Sequence, residues 1–269
     1  MDLELKDNVT VVVGAAGGIG RAIASAFAAE GSHLALVDTE PGVNMLVDAM
    51  ETEHNIGGLA IVADITDYNA TQRAAYQVFT RWGRCDHVVN AAAAGSGRFG
   101  FPFWNLHPDD WPRVLDVNLM GSVHVAHAFA PHLAERGKGT MLFLSSVAGQ
   151  IGSQTDPPYS AAKAALINFA QCAAKDLAPH GVRVNVISPG MVQTALNRSV
   201  WQSWNAGQPE ESQQPYEDWA AEKIERLIPL NCWQTPDDIA AMAVFLASPK
   251  AANITGQTLN IDGGWVMHS

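Results

Sequence analysis

The chain has 269 residues, of which 48% are hydrophobic, and carries a formal net charge of -11 at pH 7. This length is enough for one large core, and without an apolar run of ~18 residues we expect a soluble globular protein. The acidic balance argues against nucleic acid or an anionic membrane as a partner and favours small-molecule ligands. The N-terminus lacks the basic start and apolar core of a signal peptide, which predicts a cytoplasmic location.

The first predicted unit is a strand, a glycine-rich loop and a helix. A β-branched run at 8–13 is followed by glycines at 14, 17, 18 and 20, and an alanine-rich helix is predicted over 21–30. Small residues let the backbone approach a pyrophosphate, and a helix N-terminus offers free N–H groups and partial positive charge. The pattern is typical of a dinucleotide site, and a simple tight turn stays open as the alternative.

An acidic residue ends the second predicted strand. Asp38 follows the run 33–37 and lies 18 residues after Gly20. In a dinucleotide site, an acid at this place accepts hydrogen bonds from the ribose hydroxyls and repels a 2′-phosphate. Positions 15–17, 39 and 40 hold no Arg or Lys to bind such a phosphate. We therefore predict NAD as the cofactor, with an acidic helix cap as the alternative role of Asp38.

Strands continue to alternate with helices along the chain, and this alternation predicts a doubly wound parallel sheet in a single domain. Ligands of such sheets bind at the carboxyl ends of the strands, where Asp64 and Asn90 fall. Helices are predicted near 43–53, 67–82 and 107–133 and from Pro157, strands at 59–63, 87–89, 140–144, 183–187 and 256–261, and a loop at 94–107.

A hydroxyl, a phenol and an ammonium are brought together by the segment from Ser146 to Lys163. On a helix, Tyr159 and Lys163 are one turn apart on the same face. A charge ~4 Å from the phenol, at an effective dielectric constant of ~20, is worth ~4 kcal/mol. This predicts that the pKa of Tyr159 falls by up to about three units towards ~7, where acid–base catalysis is most effective. A surface pair on an amphipathic helix is the alternative.

The predicted helix over 107–133 contains several polar side chains. Asn118 is either a core amide with its hydrogen bonds satisfied or a polar group placed for function. The histidines have no acidic residue at helical spacing on their face, so packing or an interface is favoured over a metal site: His124, His127 and His132. We predict no metal. The cysteines are odd in number and far apart, which predicts reduced thiols: Cys85, Cys172 and Cys232.

The segment 195–228 shows the least strand or helix regularity, which predicts a mobile substrate lid. Its aromatic residues suggest apolar faces for a bulky alcohol, with Trp201 and Trp204 as substrate contacts. Packing among the rings or across a subunit interface is the alternative. Three basic and six acidic residues give the segment a net charge of 3 − 6 = −3. Repulsion of anions by such a lid predicts a neutral, bulky secondary alcohol as substrate.

Taken together, these motifs resemble the short-chain dehydrogenase/reductase family over essentially the whole chain. The matching pieces are Gly14-x-x-x-Gly18-Ile19-Gly20, Asp64, Asn90 in Val89-Asn90-Ala91-Ala92, Val117-Asn118-Leu119-x-Gly121, Ser146, Tyr159-x-x-x-Lys163, Ser188-Pro189-Gly190 and Asp262-Gly263-Gly264. The resemblance implies a Rossmann-type sheet with helices on both faces. It also implies a homotetramer or homodimer, with the helices that bear Asn118 and Tyr159 at the interface.

The resemblance further implies roles for single residues. Tyr159 exchanges the substrate proton, and Ser146 holds the substrate oxygen. Lys163 lowers the pKa of Tyr159 and holds the nicotinamide ribose, while Asn118 keeps a water that relays protons outward. Asp64 faces the adenine, Asn90 lines the adenosine side, and Thr194 holds the nicotinamide carboxamide. The full predicted cofactor set is Gly14, Gly18, Ile19, Gly20, Asp38, Asp64, Ile65, Asn90, Tyr159, Lys163, Pro189, Gly190, Val192 and Thr194.

The sequence departs from the family pattern at two places. Val13 stands where the family usually has Thr before the first glycine, and Asn90-Ala91-Ala92-Ala93 replaces the family's Asn-Asn-Ala-Gly. These changes remove a hydroxyl and an amide near the sheet edge, which affects cofactor affinity and loop shape. The four predicted catalytic residues are unaffected.

Two functional classes remain from the sequence. The first is an NAD-dependent enzyme that oxidises a secondary alcohol, or runs the same chemistry in reverse as an NADH-dependent ketone or 3-oxoacyl reductase. The second is a non-catalytic regulator that binds NAD without turnover. A phenol polarised beside a serine favours the enzyme, because a binder has no use for it.

Overall fold

A single seven-stranded parallel sheet forms the centre of the molecule. The computed structural model describes residues 1–153 and 155–267. The strands are β1 Val9–Val13, β2 His33–Asp38, β3 Gly58–Val62, β4 His87–Asn90, β5 Gly139–Leu144, β6 Val182–Pro189 and β7 Thr258–Ile261. Their order is β3-β2-β1-β4-β5-β6-β7, and all neighbours pair in parallel. The strand order reverses between β1 and β4, which confirms the doubly wound architecture.

Helices cover both faces of the sheet. The α-helices are α1 Gly18–Ala29, α2 Val43–His54, α3 Tyr68–Trp82, α4 Pro112–Leu115, α5 Gly121–Arg136, α6 Pro157–Leu177, α7 Ala195–Ala206, α8 Tyr216–Leu227 and α9 Pro236–Ala247. One core lies between the sheet and the helices α3, α5 and α6, and a second lies between the sheet and α1, α2 and α9. Strands buried on both faces explain the continuous apolar runs of the sequence. Among the described residues, no helix combines the length and apolarity that a membrane span requires.

The predicted helix over 107–133 is divided into several parts. A short 3-10 turn at Pro108–Asp110 precedes α4, and a π turn at Asp116–Met120 joins α4 to α5. In the π turn, Gly121 N–H donates to the carbonyl of Asp116, five residues earlier. A π turn of this kind holds one residue more than an α turn and is often found at functional sites. Asn118 lies within it.

The expectation that 195–228 lacks regular structure is wrong. This segment contains α7 and α8, with a 3-10 turn at Glu210–Ser212 between them. A third apolar cluster, separate from the two main cores, holds the pair together and includes Met191, Tyr216, Trp219 and Ile224. Helix α9 also follows this segment, in a region for which the sequence pattern predicted no element.

The packing interpretation of the helix histidines is confirmed. Tyr68 packs against His124 and His127, with ring centroids 5.3 and 6.5 Å away, and Phe79 lies 3.9 Å from His132. The Nδ1 atom of His124 also lies 2.8 Å from the carbonyl oxygen of residue 65. The prediction of free thiols is confirmed for all three cysteines: Cys85, Cys172 and Cys232.

Candidate active site

Two adjoining cavities lie at the carboxyl edge of the sheet. The first, which we call the glycine-loop cleft, is lined by residues 13–14, 16–20, 37–40, 63–65 and 91–94, among others. The second, which we call the Ser146 cavity, is lined by the segment after β5, by Tyr159 and by parts of α7 and α8. Tyr159 lines both cavities, so its phenol stands at their boundary.

The glycine loop brings bare backbone to the wall of the cleft. Gly14 has a φ of +76°, and a Cβ atom at this position would lie 2.6 Å from the backbone nitrogen of Ala92. A Cβ at Gly20 would lie 2.0 Å from the Gly14 carbonyl oxygen. Gly17 caps α1 without any side-chain hydrogen bond, which leaves the first N–H groups of the helix for a ligand. The loop is thus compatible with a pyrophosphate, as the spacing predicts.

Asp38 lies at the end of β2 and lines the cleft. Its carboxylate accepts hydrogen bonds from the backbone N–H groups of Ala16, at 2.8 Å, and Glu40, at 3.1 Å. Helix α2 begins at Val43 with Gly42 as its N-cap, so the helix-cap alternative for Asp38 is excluded. A basic residue that the sequence argument did not consider, Arg113, also lines the cleft.

Cofactor residues are also predicted after β3 and at the end of β4, and only those after β3 line the cleft. Asp64 and Ile65 line the cleft, and the Asp64 carboxylate accepts 2.8 Å hydrogen bonds from the N–H and hydroxyl of Thr66. Asn90 does not line it. Its side chain is 2% exposed, donates to the Ser122 hydroxyl at 2.9 Å and accepts from Ala92 N–H at 3.2 Å. The role of Asn90 on the adenosine side therefore stays a prediction, and in this structure its amide braces the loop 91–94, which lines the cleft.

Helix α6 positions the phenol and the ammonium. Its N-cap is Asp156, and Tyr159 lies on the first turn, with its N–H 3.5 Å from the Asp156 carboxylate. Lys163 is 1% exposed, and its Nζ atom lies 5.4 Å from the centroid of the Tyr159 ring. That ammonium donates a 2.7 Å hydrogen bond to the carbonyl of Leu144, the last residue of β5. Ser146, just beyond this strand, lies near enough to the phenol to lower its pKa.

The predicted fall in the pKa of Tyr159 is wrong for the protein without a bound cofactor. Burial raises the pKa of Tyr159 to about 12, and the charge of Asp156 adds to this rise, although the nearby Ser146 opposes it. Burial also lowers the pKa of Lys163 to about 7. Desolvation in this buried site disfavours both the phenolate and the ammonium.

Asn118 has one satisfied and one unsatisfied end. Its Nδ2 group donates to the carbonyl oxygens of Ala94, at 2.6 Å, and Val114, at 2.8 Å. Its Oδ1 atom is buried and has no partner among the described residues. A buried acceptor without a hydrogen-bond partner lowers stability. This favours the interpretation of Asn118 as a polar group placed for function over that of a core amide with its hydrogen bonds satisfied.

The strand β6 and the residues after it complete the boundary between the cavities. Pro189 and Thr194 line both cavities, while Gly190 and Val192 line the Ser146 cavity. Thr194 is the N-cap of α7 and accepts a 3.2 Å hydrogen bond from the N–H of Asn197. The predicted residues of this segment therefore all reach the site.

The two tryptophans predicted to contact substrate do not line either cavity. Trp201 donates from Nε1 to the carbonyl of Gln214 at 3.1 Å and packs on Tyr216, with centroids 5.7 Å apart. Trp204 packs on Trp219, with centroids 6.3 Å apart. Both belong to the α7–α8 cluster, so the packing alternative is correct for them.

Other aromatic and polar side chains form the far wall of the Ser146 cavity instead. They include Trp219, Lys223, Asn197 and Trp265. The six acidic residues of 195–228 are all exposed: Glu210, Glu211, Glu217, Asp218, Glu222 and Glu225. Because the acids face outward and Lys223 faces the cavity, the net charge of the segment does not describe the environment of a substrate.

Comparison with known proteins agrees with this geometry. A family model described as enoyl-(acyl carrier protein) reductase matches residues 14–266. The chain belongs to the short-chain dehydrogenase/reductase family. Members of this family are oxidoreductases that act on alcohol and carbonyl groups with a nicotinamide cofactor.

Several relatives of this short-chain dehydrogenase/reductase span nearly the full chain. A D-threitol dehydrogenase from Mycolicibacterium smegmatis is 34% identical over 267 residues, which cover 99% of this chain and 95% of that protein. An NAD+-bound xylitol dehydrogenase has a TM-score of 0.90 at 27% identity, with 97% of this chain and 100% of that chain covered. L-sorbose reductase from Gluconobacter frateurii, in complex with NADPH and L-sorbose, has a TM-score of 0.90 with both chains fully covered. Its 24% identity supports a likeness of fold alone.

Proposed function

We propose that this protein is an NAD-dependent oxidoreductase that interconverts a secondary alcohol and its ketone, with Tyr159 as the general acid and base. The observation that carries the proposal is the position of Tyr159, which lines both the glycine-loop cleft and the Ser146 cavity. A phenol at this boundary is next to both a cofactor in the cleft and a substrate in the cavity. No other titratable side chain lines both cavities among the described residues.

The residues of the cleft fit a dinucleotide. The bare backbone of the glycine loop and the uncapped start of α1 suit a pyrophosphate, and Asp38 suits ribose hydroxyls. Lys163 and Thr194 line the end of the cleft nearest Tyr159 and would hold the nicotinamide half. When bound, the nicotinamide supplies the hydride acceptor or donor that alcohol oxidation or ketone reduction requires.

The side chains of the site divide the proton chemistry between them. In oxidation, Tyr159 takes the proton of the substrate hydroxyl, and in reduction it returns a proton to the carbonyl oxygen. Ser146, which lines the same cavity as the phenol, donates to the substrate oxygen and fixes its position. The unpartnered Oδ1 atom of Asn118 suits a bound water, which would carry protons away from the buried Lys163.

NAD preference is part of the proposal and rests on Asp38. A carboxylate that already accepts from Ala16 and Glu40 N–H groups is held in place at the cleft wall, where it would repel a 2′-phosphate. The acidic residues of 195–228 are exposed, so their charge gives no reason to restrict the substrate to a neutral, bulky alcohol.

Turnover with each cofactor tests the proposal. Purified protein is incubated with NAD or NADP and a panel of secondary alcohols, polyols included, and reduced cofactor is followed by absorbance. We expect turnover with NAD that Tyr159→Phe abolishes, while NADH binding, measured by fluorescence titration, changes less than about twofold. Tyr76→Phe, at an exposed tyrosine outside the site, is the control and should keep full activity.

Two outcomes would reject the proposal. Tight NAD binding without turnover of alcohols or of the matching ketones and 3-oxo esters would favour a non-catalytic regulator. Substantial activity in Tyr159→Phe would mean that another group carries the proton.

A further inference from the structure

The Ser146 cavity contains an unpaired positive charge. Three charged side chains line it: Arg98, Asp156 and Lys223. Arg98 pairs with Asp110 at 3.3 Å, and Asp156 accepts from Ser96 N–H at 2.8 Å. Across residues 1–153 and 155–267, Lys223 has no ion pair and no hydrogen bond. Lys223 is thus the charged residue of this cavity with neither an ion pair nor a hydrogen bond in the described parts of the chain.

An aromatic wall holds this ammonium in place. Lys223 Nζ lies 4.2 Å from the centroid of the Trp219 ring, close enough for a cation–π interaction. Trp219 is 2% exposed and stacks on Tyr216, with centroids 6.0 Å apart. The Nε1–H group of Trp219 is buried without a hydrogen-bond partner in the described chain. The ring is thus fixed in place, and the Lys223 ammonium above it is a donor without a hydrogen-bond acceptor among the described residues.

The free chain is destabilised by this arrangement, and an anion would relieve it. Partial burial lowers the pKa of Lys223 to about 8, with Arg226 adding to the fall and Glu222 opposing it. A half-buried cation without a counter-ion costs free energy that a ring face recovers only in part. A bound anion would restore the charged form and accept a hydrogen bond from the ammonium.

We propose that Lys223 determines substrate specificity by binding a carboxylate of the substrate, so that the secondary alcohol is a hydroxy acid. This inference rests on the proposed function, with the hydroxyl at Ser146 and Tyr159 and the carboxylate at the far wall. A carboxylate is favoured over a phosphate because Asp156 lines the same cavity, and a dianion would be repelled by it and would need more than one free cation.

A series of acids of increasing length tests the inference. The probes are 2-hydroxypropanoate, 3-hydroxybutanoate, 4-hydroxypentanoate and 5-hydroxyhexanoate, each beside its methyl ester, with NAD at saturation. For at least one length, we expect kcat/KM of the acid to exceed that of the ester by about tenfold or more. In Lys223→Met, which keeps an apolar stem against Trp219, the preference should disappear mainly through KM. Lys223→Arg should retain most of it.

A control variant distinguishes the charge of Lys223 itself from the overall charge of α8. Arg226→Met removes one positive charge from the same helix at an exposed position that does not line the cavity. This variant should keep the preference for the acid. Equal loss in Arg226→Met and Lys223→Met would overturn the inference, because the effect would then reflect the overall field of α8.

Binding without turnover keeps the inference separate from the proposed function. Thermal stabilisation by each acid is measured with NADH present, in wild type and in Lys223→Met. If no acid binds the wild type more tightly than its ester, the carboxylate site is rejected even where neutral alcohols are oxidised. Stabilisation by acids that Lys223→Met abolishes would support the site even without turnover. Stronger stabilisation by inorganic phosphate than by any acid would reject a carboxylate in favour of a phosphorylated ligand.

Discussion

Tyr159 and Lys163 share one buried region, and burial moves their pKa values in opposite directions. The phenol is raised to about 12 and the ammonium is lowered to about 7. Both groups thereby favour their neutral forms in the free chain. The phenol of the free protein is thus protonated at neutral pH, and the base role that we propose for Tyr159 would require additional positive charge in the cleft.

Stability should depend on pH through Lys163. Its ordinary pKa is 10.5, and its folded-state pKa is about 7. Between these values the unfolded chain holds a proton that the folded chain lacks, so this group makes stability rise with pH across that window. Below the window both states are protonated, and the cost of burying the charge is fully present. We expect Lys163→Met to stabilise the free protein at about pH 6 and to flatten this rise.

Urea unfolding without cofactor at several pH values provides the measurement. Lys138→Met, at an exposed lysine, is the control and should follow the wild-type pH curve. Parallel curves for wild type and Lys163→Met would show that the lysine is not penalised by burial.

Asp38 should govern the choice between the two dinucleotides. Asp38→Ala removes the charge that repels a 2′-phosphate, so we expect the kcat/KM ratio of NAD to NADP to fall by about tenfold or more while Tyr159 chemistry continues. Glu40→Gln removes a neighbouring charge on the same cleft wall and should change the ratio less. Equal use of both dinucleotides by the wild type would contradict the assignment.

At the scale of elements, the aromatic residues of α7 and α8 recur at helical spacing. Trp201 and Trp204 are three residues apart, and so are Tyr216 and Trp219. That spacing places each pair on one face of a helix, and the facing pairs pack together. Thr194 caps α7, and α8 is rich in strong helix formers, so the sequence together with its aromatic spacing already indicated two packed helices.

Truncation of Trp204 tests the packing role. Trp204→Ala removes a partly buried ring from the α7–α8 cluster, and we expect a loss of about 1–3 kcal/mol in stability. The effect should be local, so hydrogen exchange should accelerate in α7 and α8 while the sheet amides stay protected. NADH affinity should be preserved, because Trp204 does not line the cleft. Uniform loss of protection across the sheet would argue against a separate cluster.

Some of the site residues that sequence predicted follow from the parallel sheet, while Tyr159 and Lys163 follow from their spacing on one helix. Asp38, Asp64 and Ser146 come at or just after strand ends, and such ends converge at one edge whatever the detailed packing. Lys223 and Trp265 reach the site only through tertiary packing of α8 and the C-terminal segment. Asn90 lies at the predicted edge of the sheet. Its side chain, however, is oriented by a hydrogen bond to Ser122, a tertiary contact that the sequence pattern does not indicate.

At the scale of the whole molecule, the two edges of the sheet have different tasks. The carboxyl edge carries the cavities, while a polar cluster around Asp86 ties the amino edge together. Asp86 accepts from Val9 N–H at 2.9 Å, lies 3.2 Å from Arg84 and pairs with Arg136. Its carboxylate is buried, so these contacts matter more than those of an exposed pair.

Asp86→Ala should therefore affect stability and leave catalysis intact. Removing one partner from a buried charge cluster costs about 3–5 kcal/mol, and we expect this loss in denaturant unfolding. In the molecules that remain folded, kcat and KM should equal the wild-type values. Glu4→Gln, which breaks the exposed pair with Lys250, should cost much less stability than Asp86→Ala. A changed KM for NAD in Asp86→Ala would show that the two edges are coupled.

The π turn at Asp116–Met120 rotates α5 about the helix axis relative to α4. An α-helix turns by ~100° per residue, so one additional residue rotates everything after it by that angle relative to everything before it. The part before the turn, α4, packs against α6, and the part after it, α5, packs against α3. Deleting one residue here would regularise the helix and bring its halves back into phase. The regular helix could then face only one of its two neighbours correctly, and Asn118 lies where the two phases meet.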